Sequence, residues 1–239
     1  MAALLIVKTG TTVPNVAPRR GDFESWFAAG MGLPLAQARV VRVDLGEALP
    51  APDSAQAIVV TGSAAMVSDR ADWSERTAAW LREVVAADVP MLAVCYGHQL
   101  LAHAFGGVVA KNPRGRSIGT VDVELLPAAE RDPLFTGFRS PLHLPVSHLE
   151  AVLELPDGAT RLATTARDPN HAFALGERTW AVQFHPEFDA DIVRGYIEAR
   201  RDTIAGEGQD PDALQAAARD TDHGTLILRR FAHLALRSG

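Results

Sequence analysis

Short apolar runs alternate with segments of helical periodicity in the first part of the chain. The runs cover residues 2–7, 40–43, 57–60 and 91–94. Continuous apolar runs of this kind are typical of parallel strands that are buried on both faces of a sheet. Between them, residues 22–29 and 72–87 carry apolar side chains at helical spacing. The pattern predicts an α/β fold: a doubly wound, mostly parallel sheet with helices on both faces.

The pattern changes after residue 116, where shorter segments with alternating polar and apolar positions begin. We predict strands at residues 117–126, 142–146, 160–164, 171–175 and 179–184. A hairpin around residues 176–178 joins the last two strands. These strands make the predicted sheet mixed rather than wholly parallel.

Two helical segments, residues 190–201 and 212–236, are predicted after the last strand, with a loose stretch at residues 206–211 between them. We therefore expect one α/β domain over residues 1–200 and a helical extension, residues 201–239, that packs on the same domain. The chain has 239 residues, 47% of them apolar and 22% charged, which suits an ordinary globular core.

The net charge and the cysteine content limit the possible binding partners and the cellular compartment of the protein. A net charge of −6 disfavours nucleic acid and anionic membranes as partners, because both attract basic surfaces. The apolar run at residues 2–7 lacks a basic flank and is too short to span a bilayer. A single cysteine forms no internal disulfide, so we expect a cytoplasmic location. No zinc-type spacing, P-loop or dinucleotide motif is present in the sequence, and we expect neither metal nor cofactor.

Cys95 follows the apolar strand predicted at residues 91–94 and precedes a helix. A lone cysteine is most often a small buried apolar residue. This position is different, because Gly97 relieves crowding after the turn and the helix start offers free N–H groups and a positive dipole end. Such surroundings favour a thiolate and a developing oxyanion.

A candidate base for this thiol lies in a second motif that ends the strand predicted at residues 179–184. Pro186 favours an extended conformation for His185, so the side chains of His185 and Glu187 project to the same side. The carboxylate can then orient the imidazole, as in a Cys–His–acid triad that forms a covalent thioester.

The two motifs together resemble the class I, or triad, glutamine amidotransferases, and in particular the amidotransferase domain of GMP synthase. They read Cys95-Tyr96-Gly97-His98-Gln99 and Gln183-Phe184-His185-Pro186-Glu187. The resemblance covers residues 50–190 well and implies a flavodoxin-like class I amidotransferase fold. It also implies that Cys95 is the nucleophile, His185 the general base and acid, and Glu187 the residue that orients it.

The same resemblance implies a set of substrate contacts for L-glutamine. They are Gly62, Ser63 and Ala64 in a glycine-containing loop, Tyr96 and Gln99 in the first motif, and Ser147, His148 and Leu149 in a Ser-His segment. Two departures concern this pocket: Ala93 stands where the family often has glycine, and the Gly62 loop lacks the usual second glycine and proline.

Three functional hypotheses follow from the sequence. The first is a glutaminase that releases ammonia, either to a separate synthetase subunit or working alone. The second is a hydrolase or transferase of γ-glutamyl peptides that uses the same triad. The third is a regulatory or redox-sensing module without catalysis. The space beyond the γ-carbonyl separates the first two, and the sequence does not supply its size.

Overall fold

Strands and helices alternate in the computed structural model of the protein, which describes residues 2–236. The strands are β1 (Ala2–Lys8), β2 (Ala38–Arg42), β3 (Ala55–Val60), β4 (Met91–Val94), β5 (Val108–Lys111), β6 (Ser117–Leu125), β7 (Leu142–His148), β8 (Glu150–Glu154), β9 (Ala159–Thr164), β10 (Ala172–Leu175) and β11 (Thr179–Val182). The α-helices are α1 (Ala17–Arg20), α2 (Phe23–Met31), α3 (Asp72–Ala86), α4 (Tyr96–Ala104), α5 (Ala190–Glu198), α6 (Arg201–Gly206), α7 (Pro211–Ala217) and α8 (His223–Leu236).

Within residues 2–236, nine strands form one sheet in the order β2-β1-β3-β4-β11-β10-β9-β6-β7. The strands from β2 to β11 in this order are parallel to their neighbours, and those from β10 to β7 are antiparallel. The predicted mixed α/β sheet is therefore confirmed. The predicted hairpin is also present, because Leu175 of β10 pairs with Thr179 of β11 across Gly176 at φ 66°.

Apolar side chains fill both faces of this sheet. Helices α2, α5 and α8 contribute to one apolar cluster, in which Phe27, Ile197 and Phe231 are fully buried. Helices α3 and α4 contribute to the other cluster. The helices on both faces confirm the doubly wound arrangement.

Local sequence explains the bounds of α2. The carboxylate of Asp22 accepts hydrogen bonds from the backbone N–H of Phe23 at 2.8 Å and of Thr12 at 2.9 Å, so it caps the helix and ties it to the loop after β1. Gly32 ends the helix at φ 73°, a left-handed conformation that suits glycine.

The C-terminal part differs from the sequence prediction in its helix bounds. The helix predicted at residues 190–201 ends at Glu198, and α6 follows it. The helix predicted over residues 212–236 is two helices, because residues 218–222 leave helical geometry. In that break, Asp220 Oδ1 accepts a hydrogen bond from Ala190 N–H at 2.9 Å and Thr221 donates to the carbonyl of His143 at 2.8 Å.

The sequence patterns also missed a separate two-stranded sheet, formed by the antiparallel strands β5 and β8. The domain boundary at residue 200 stays a prediction, although α8 packs against α2 and β3. Between residues 2 and 236, no helix has the length and apolar character needed to cross a bilayer.

Candidate active site

The candidate site lies at the carboxyl edge of three adjacent parallel strands. Strands β3, β4 and β11 are neighbours in the sheet, and the chain leaves them towards Gly62, Cys95 and His185, respectively. The N–H of Cys95 donates to the carbonyl of Val182 at 2.8 Å, which ties the nucleophile's turn to the end of β11. The topology therefore brings together the three segments that the sequence singled out.

The turn at Cys95 has a backbone conformation that side chains other than glycine rarely adopt. Cys95 has φ 52° and ψ −100°, immediately before α4. Such a conformation costs energy and persists only when the surroundings hold it. Gly97 is part of that support, because a Cβ there would lie 2.8 Å from the carbonyl oxygen of Val60. The side chain of Cys95 is thereby held at the tip of a tight turn.

His185 is oriented by the carboxylate two residues further on. Its Nδ1 donates to Glu187 Oε1 at 2.7 Å, and both side chains are buried. This hydrogen bond directs Nε2 towards the cysteine. A Cβ placed on Gly62 would lie 3.5 Å from Cys95 Cβ and 3.7 Å from His185 Nε2, so the two side chains meet across this glycine.

The protonation of His185 is set by opposing effects. Burial disfavours the charged imidazolium, but the carboxylate of Glu187 and the sulfur of Cys95 favour it more, and together they raise the pKa of His185 to about 10. The imidazolium therefore persists near neutral pH, in contact with a carboxylate and a sulfur atom.

Aromatic rings hold the plane of this imidazole. Phe188 stacks on His185 with ring centroids 4.0 Å apart and an interplanar angle of 11°. Phe23 lies nearly parallel to the imidazole at 6.4 Å. Because these rings and Glu187 constrain His185 in different directions, the ring has little freedom to turn away from Cys95.

The loop after β3 is fixed by hydroxyl groups. Thr9 Oγ1 donates to the carbonyl of Thr61 at 3.0 Å or to that of Gly62 at 2.9 Å, and Thr61 Oγ1 accepts a hydrogen bond from Thr9 N–H at 3.1 Å. The carbonyls of the loop therefore point towards β1. The N–H of Tyr96, in the first turn of α4, has no intrahelical partner and is available to an oxyanion.

Comparison with known proteins identifies the family of the chain. The family model described as "Glutamine amidotransferase class-I" matches residues 33–194. The chain belongs to this family. It is 26% identical over 175 residues to a glutamine amidotransferase-like protein of Schizosaccharomyces pombe, covering 72% of this chain and 69% of that protein.

A longer relative is a glutamine-hydrolysing GMP synthase of Clostridium novyi, 36% identical over 135 residues that cover 56% of this chain. The matched region spans 25% of that synthase's length. The crystal structure of a glutamine amidotransferase from Thermotoga maritima superposes with a TM-score of 0.79, covering 100% of both chains at 21% identity. At that identity the match shows the fold, and the predicted class I amidotransferase fold is confirmed.

Two cavities adjoin the Cys95–His185 pair, and we name them by the residue that each contains. The Cys95 cavity is lined by Ser63, Ala64, Ala65, Met66, Cys95, Gln99, Arg116, Ser147, His148, Leu149, Glu150 and Arg200. The His185 cavity has a volume of about 250 Å³ and is lined by Thr11, Thr12, Val13, Pro14, Phe23, Ser63, Ala64, Ser147, His185, Tyr196 and Arg200. Most of the substrate contacts expected from the sequence therefore lie around the Cys95 cavity.

Two of those expected contacts have side chains that are engaged elsewhere. The Tyr96 hydroxyl lies 2.6 Å from Ser74 Oγ, and its ring stacks on Trp73. Only the backbone of Tyr96 is therefore placed to meet a substrate. The amide nitrogen of Gln99 lies 2.8 Å from the carbonyl of Glu150 and 3.0 Å from Gln183 Oε1, so it is committed to protein acceptors.

A buried group below the Cys95 cavity was not indicated by sequence spacing. One potential metal-ligating atom from each of His148, Asp168 and His171 lies within 4.8 Å of the other two. His148 Nδ1 donates to the carbonyl of Glu150 at 2.8 Å, and burial lowers its pKa to about 4. His148 is therefore a neutral ring that supports the turn after Ser147.

Arg116 and Arg200 line the site, and the sequence analysis assigned neither a role. Arg116 makes two hydrogen bonds to the carboxylate of Glu207, at 2.9 and 3.0 Å. Arg200 lies between α5 and α6, and its guanidinium is 5.0 Å from the ring centroid of Tyr196. Neither arginine belongs to a local motif, so a single sequence offered no signal for them.

Proposed function

We propose that the protein hydrolyses the side-chain amide of L-glutamine to glutamate and ammonia through a γ-glutamyl thioester on Cys95. The observation that carries the proposal is the meeting of Cys95, in its strained turn, with an imidazole that Glu187 orients and charges. Membership of the class I amidotransferase family supports glutamine as the substrate.

In the proposed reaction, the Cys95 thiolate attacks the γ-carbonyl carbon and the carbonyl oxygen becomes an oxyanion. The N–H groups of Gly62 and Tyr96 stabilise this oxyanion. The C–N bond then breaks as His185 gives its proton to the departing nitrogen. A water molecule next loses a proton to His185 and attacks the thioester, and the C–S bond breaks to release glutamate.

The Cys95 cavity is the proposed place for the glutamyl part. Ser63, Ala64 and the segment 147–149 surround the space next to the sulfur. We propose that Gln99 acts by holding this segment, because its amide nitrogen contacts the carbonyl of Glu150.

Release of ammonia to a separate synthetase subunit is a further part of the proposal. The match to a longer GMP synthase supports it. A cytoplasmic location is proposed with it, because a thiolate nucleophile must remain reduced. Copurification with an ammonia-consuming synthetase that stimulates glutamine hydrolysis would test the partnership.

Covalent labelling tests the central proposal. We expect 6-diazo-5-oxo-norleucine, an electrophilic analogue of glutamine, to add once to the wild-type chain and not to Cys95→Ala, as measured by intact-protein mass spectrometry. Ammonia release from glutamine should disappear in the same variant. An unlabelled wild-type protein without turnover would instead favour a regulatory or redox-sensing module.

A second candidate function is hydrolysis of γ-glutamyl amides larger than glutamine, and the His185 cavity favours it. Its volume is about 250 Å³, against about 40 Å³ for the Cys95 cavity, and one water-sized molecule such as ammonia needs only roughly 10–15 Å³ by the same measure. Glutamate release from glutamine and from a γ-glutamyl peptide, compared as kcat/KM, separates the two candidates.

A further inference from the structure

Arg200 is a cation without an anionic partner beside the candidate site. Within residues 2–236, its Nη1 atom is shielded from solvent and has no hydrogen-bond partner. Neighbouring arginines are paired: Arg116 with Glu207, and Arg201 with Glu198 and Asp212. Leaving a shielded N–H donor of a cation without an acceptor costs free energy, so Arg200 is suited to an anionic ligand.

The position of Arg200 is held from one side. Its guanidinium lies over the ring of Tyr196 at 5.0 Å, and the Tyr196 hydroxyl accepts a hydrogen bond from Thr12 Oγ1 at 3.0 Å. The contact with the tyrosine ring involves the flat face of the guanidinium, and the N–H groups of the guanidinium point outwards in its own plane. These donors therefore remain available at the cavity wall.

Arg200 lines both cavities, but Tyr196, under its guanidinium, lines only the His185 cavity of the two. The proposed reaction determines which half of the substrate the His185 cavity receives. The acyl half is bonded to Cys95 and occupies the Cys95 cavity. The departing nitrogen takes its proton from His185, so the amine half occupies the His185 cavity. Phe23 and Tyr196 give that cavity aromatic walls, and Arg200 gives it the positive charge. Ammonia uses neither feature.

We infer that Arg200 binds a carboxylate on the departing amine, so that the preferred substrate is a γ-glutamyl amino acid. The inference rests on the proposed γ-glutamyl hydrolysis by Cys95 and His185. The step consumes one water molecule, breaks the γ-glutamyl C–N bond and yields glutamate and a free amino acid. The carboxylate and Arg200 take no part in bond breaking; they position the amine half near His185.

Two peptides that differ in one charge test this inference. γ-Glutamylglycine carries the carboxylate, and γ-glutamylglycinamide replaces it with a neutral amide of the same size. We expect the wild-type full chain to hydrolyse γ-glutamylglycine with a kcat/KM on the order of tenfold to a hundredfold higher, as suits a charge-assisted hydrogen bond. Arg200→Met should abolish this preference, and Arg200→Lys should retain part of it.

Arg201→Met is the matched control, because Arg201 is next in sequence and pairs with Glu198 and Asp212 on the surface. It should keep the wild-type preference. Equal kcat/KM values for the two peptides in the wild-type protein would overturn the inference without any variant. An equal loss for both peptides and for glutamine in Arg200→Met would assign Arg200 to the α-carboxylate instead. Glutamate release from none of the three substrates by the wild-type protein would contradict the proposed function and this inference together.

Discussion

The central parallel strands and the outer antiparallel strands of the main sheet differ in how they are buried. Every residue of β4 is buried, and five of the six residues of β3 are. In the antiparallel half, β6 and β9 expose part of their residues. Helices on both faces bury the parallel strands, whereas antiparallel strands tolerate solvent on one side. Cys95 therefore follows a strand that is packed on both faces.

The candidate site lies where these two halves join. Strand β11 pairs in parallel with β4, which precedes Cys95, and antiparallel with β10. His185 follows β11, so the base comes from the strand that belongs to both halves. Ligands of open α/β sheets bind outside the carboxyl ends of the parallel strands, and β11 is the last strand that ends at this edge before the direction changes at β10. We therefore expect substitutions at the junction, that is, in the segments that follow β4 and β11, to lower activity more than substitutions elsewhere in the sheet.

The largest expected effect comes from removing the base at the junction. His185→Ala should lower kcat by about 10⁴-fold, since in the proposed reaction His185 activates the thiol and protonates the departing nitrogen. Ammonia release from glutamine measures it. The control is His143→Ala in β7, where the imidazole is partly exposed and pairs with Asp122. Comparable losses in the two variants would show that the junction has no special role.

Glu187→Gln should lower kcat less, by about 10²-fold, because Glu187 orients and charges the base but accepts no proton. Its clearer effect is on pH dependence. The pKa of His185 is raised to about 10, and without the carboxylate only the sulfur of Cys95 opposes the lowering of this pKa by burial. The alkaline limb of the kcat/KM profile should therefore move to lower pH.

The raised pKa of His185 also predicts how the free energy of unfolding depends on pH. A raised folded-state pKa of His185 stabilises the native protein fully below pH 6.5, and this stabilisation is lost as the pH rises through about 10. The difference in free energy of unfolding between wild type and Glu187→Gln should therefore shrink from pH 6 to pH 10. Urea titrations at the two pH values measure it, and a constant difference would contradict the assigned charge on His185.

A smaller loss of activity is expected when an added methyl group displaces the side chain of His185 but both Cys95 and His185 are kept. In Gly62→Ala, the new Cβ would lie 2.8 Å from His185 Cε1, so the imidazole must shift. We expect kcat to fall by about tenfold to a hundredfold, as displacements near 1 Å do. Gly206→Ala is the control, because a Cβ there meets no atom within 4 Å. Wild-type kcat in Gly62→Ala would mean that the pair tolerates displacement.

The sequence predicted the parallel half and the triad candidates because both have local signatures. Buried parallel strands read as continuous apolar runs, and Cys95 follows one such run directly. His185 follows the strand predicted at residues 179–184. The sheet order then brings their loops together by topology alone. The roles assigned to Cys95, His185 and Glu187 stay predictions until the variants above are measured.

The sequence did not predict the features that depend on contacts between distant segments. His148 and Asp168 come together only when β7 and the loop before β10 pack, and Arg200 meets the site only through the packing of α5. The break at residues 218–222 depends on Asp220 capping the distant α5 at Ala190. Helical periodicity runs across such a break without a signal, because its cause lies elsewhere in the chain.

The smallest expected effect is on stability. It is measured by one Val→Ala substitution in each half of the sheet. Val59 in β3 is fully buried, so Val59→Ala should lower the free energy of unfolding by about 2 kcal/mol. Val121 in β6 is only partly buried, and Val121→Ala should cost less than about 1 kcal/mol. Urea denaturation with a common m-value measures both. The identical change in β-propensity cancels between the variants, so the difference reports burial. Equal costs would mean that Val121 is packed as tightly as Val59, contrary to the difference in their burial.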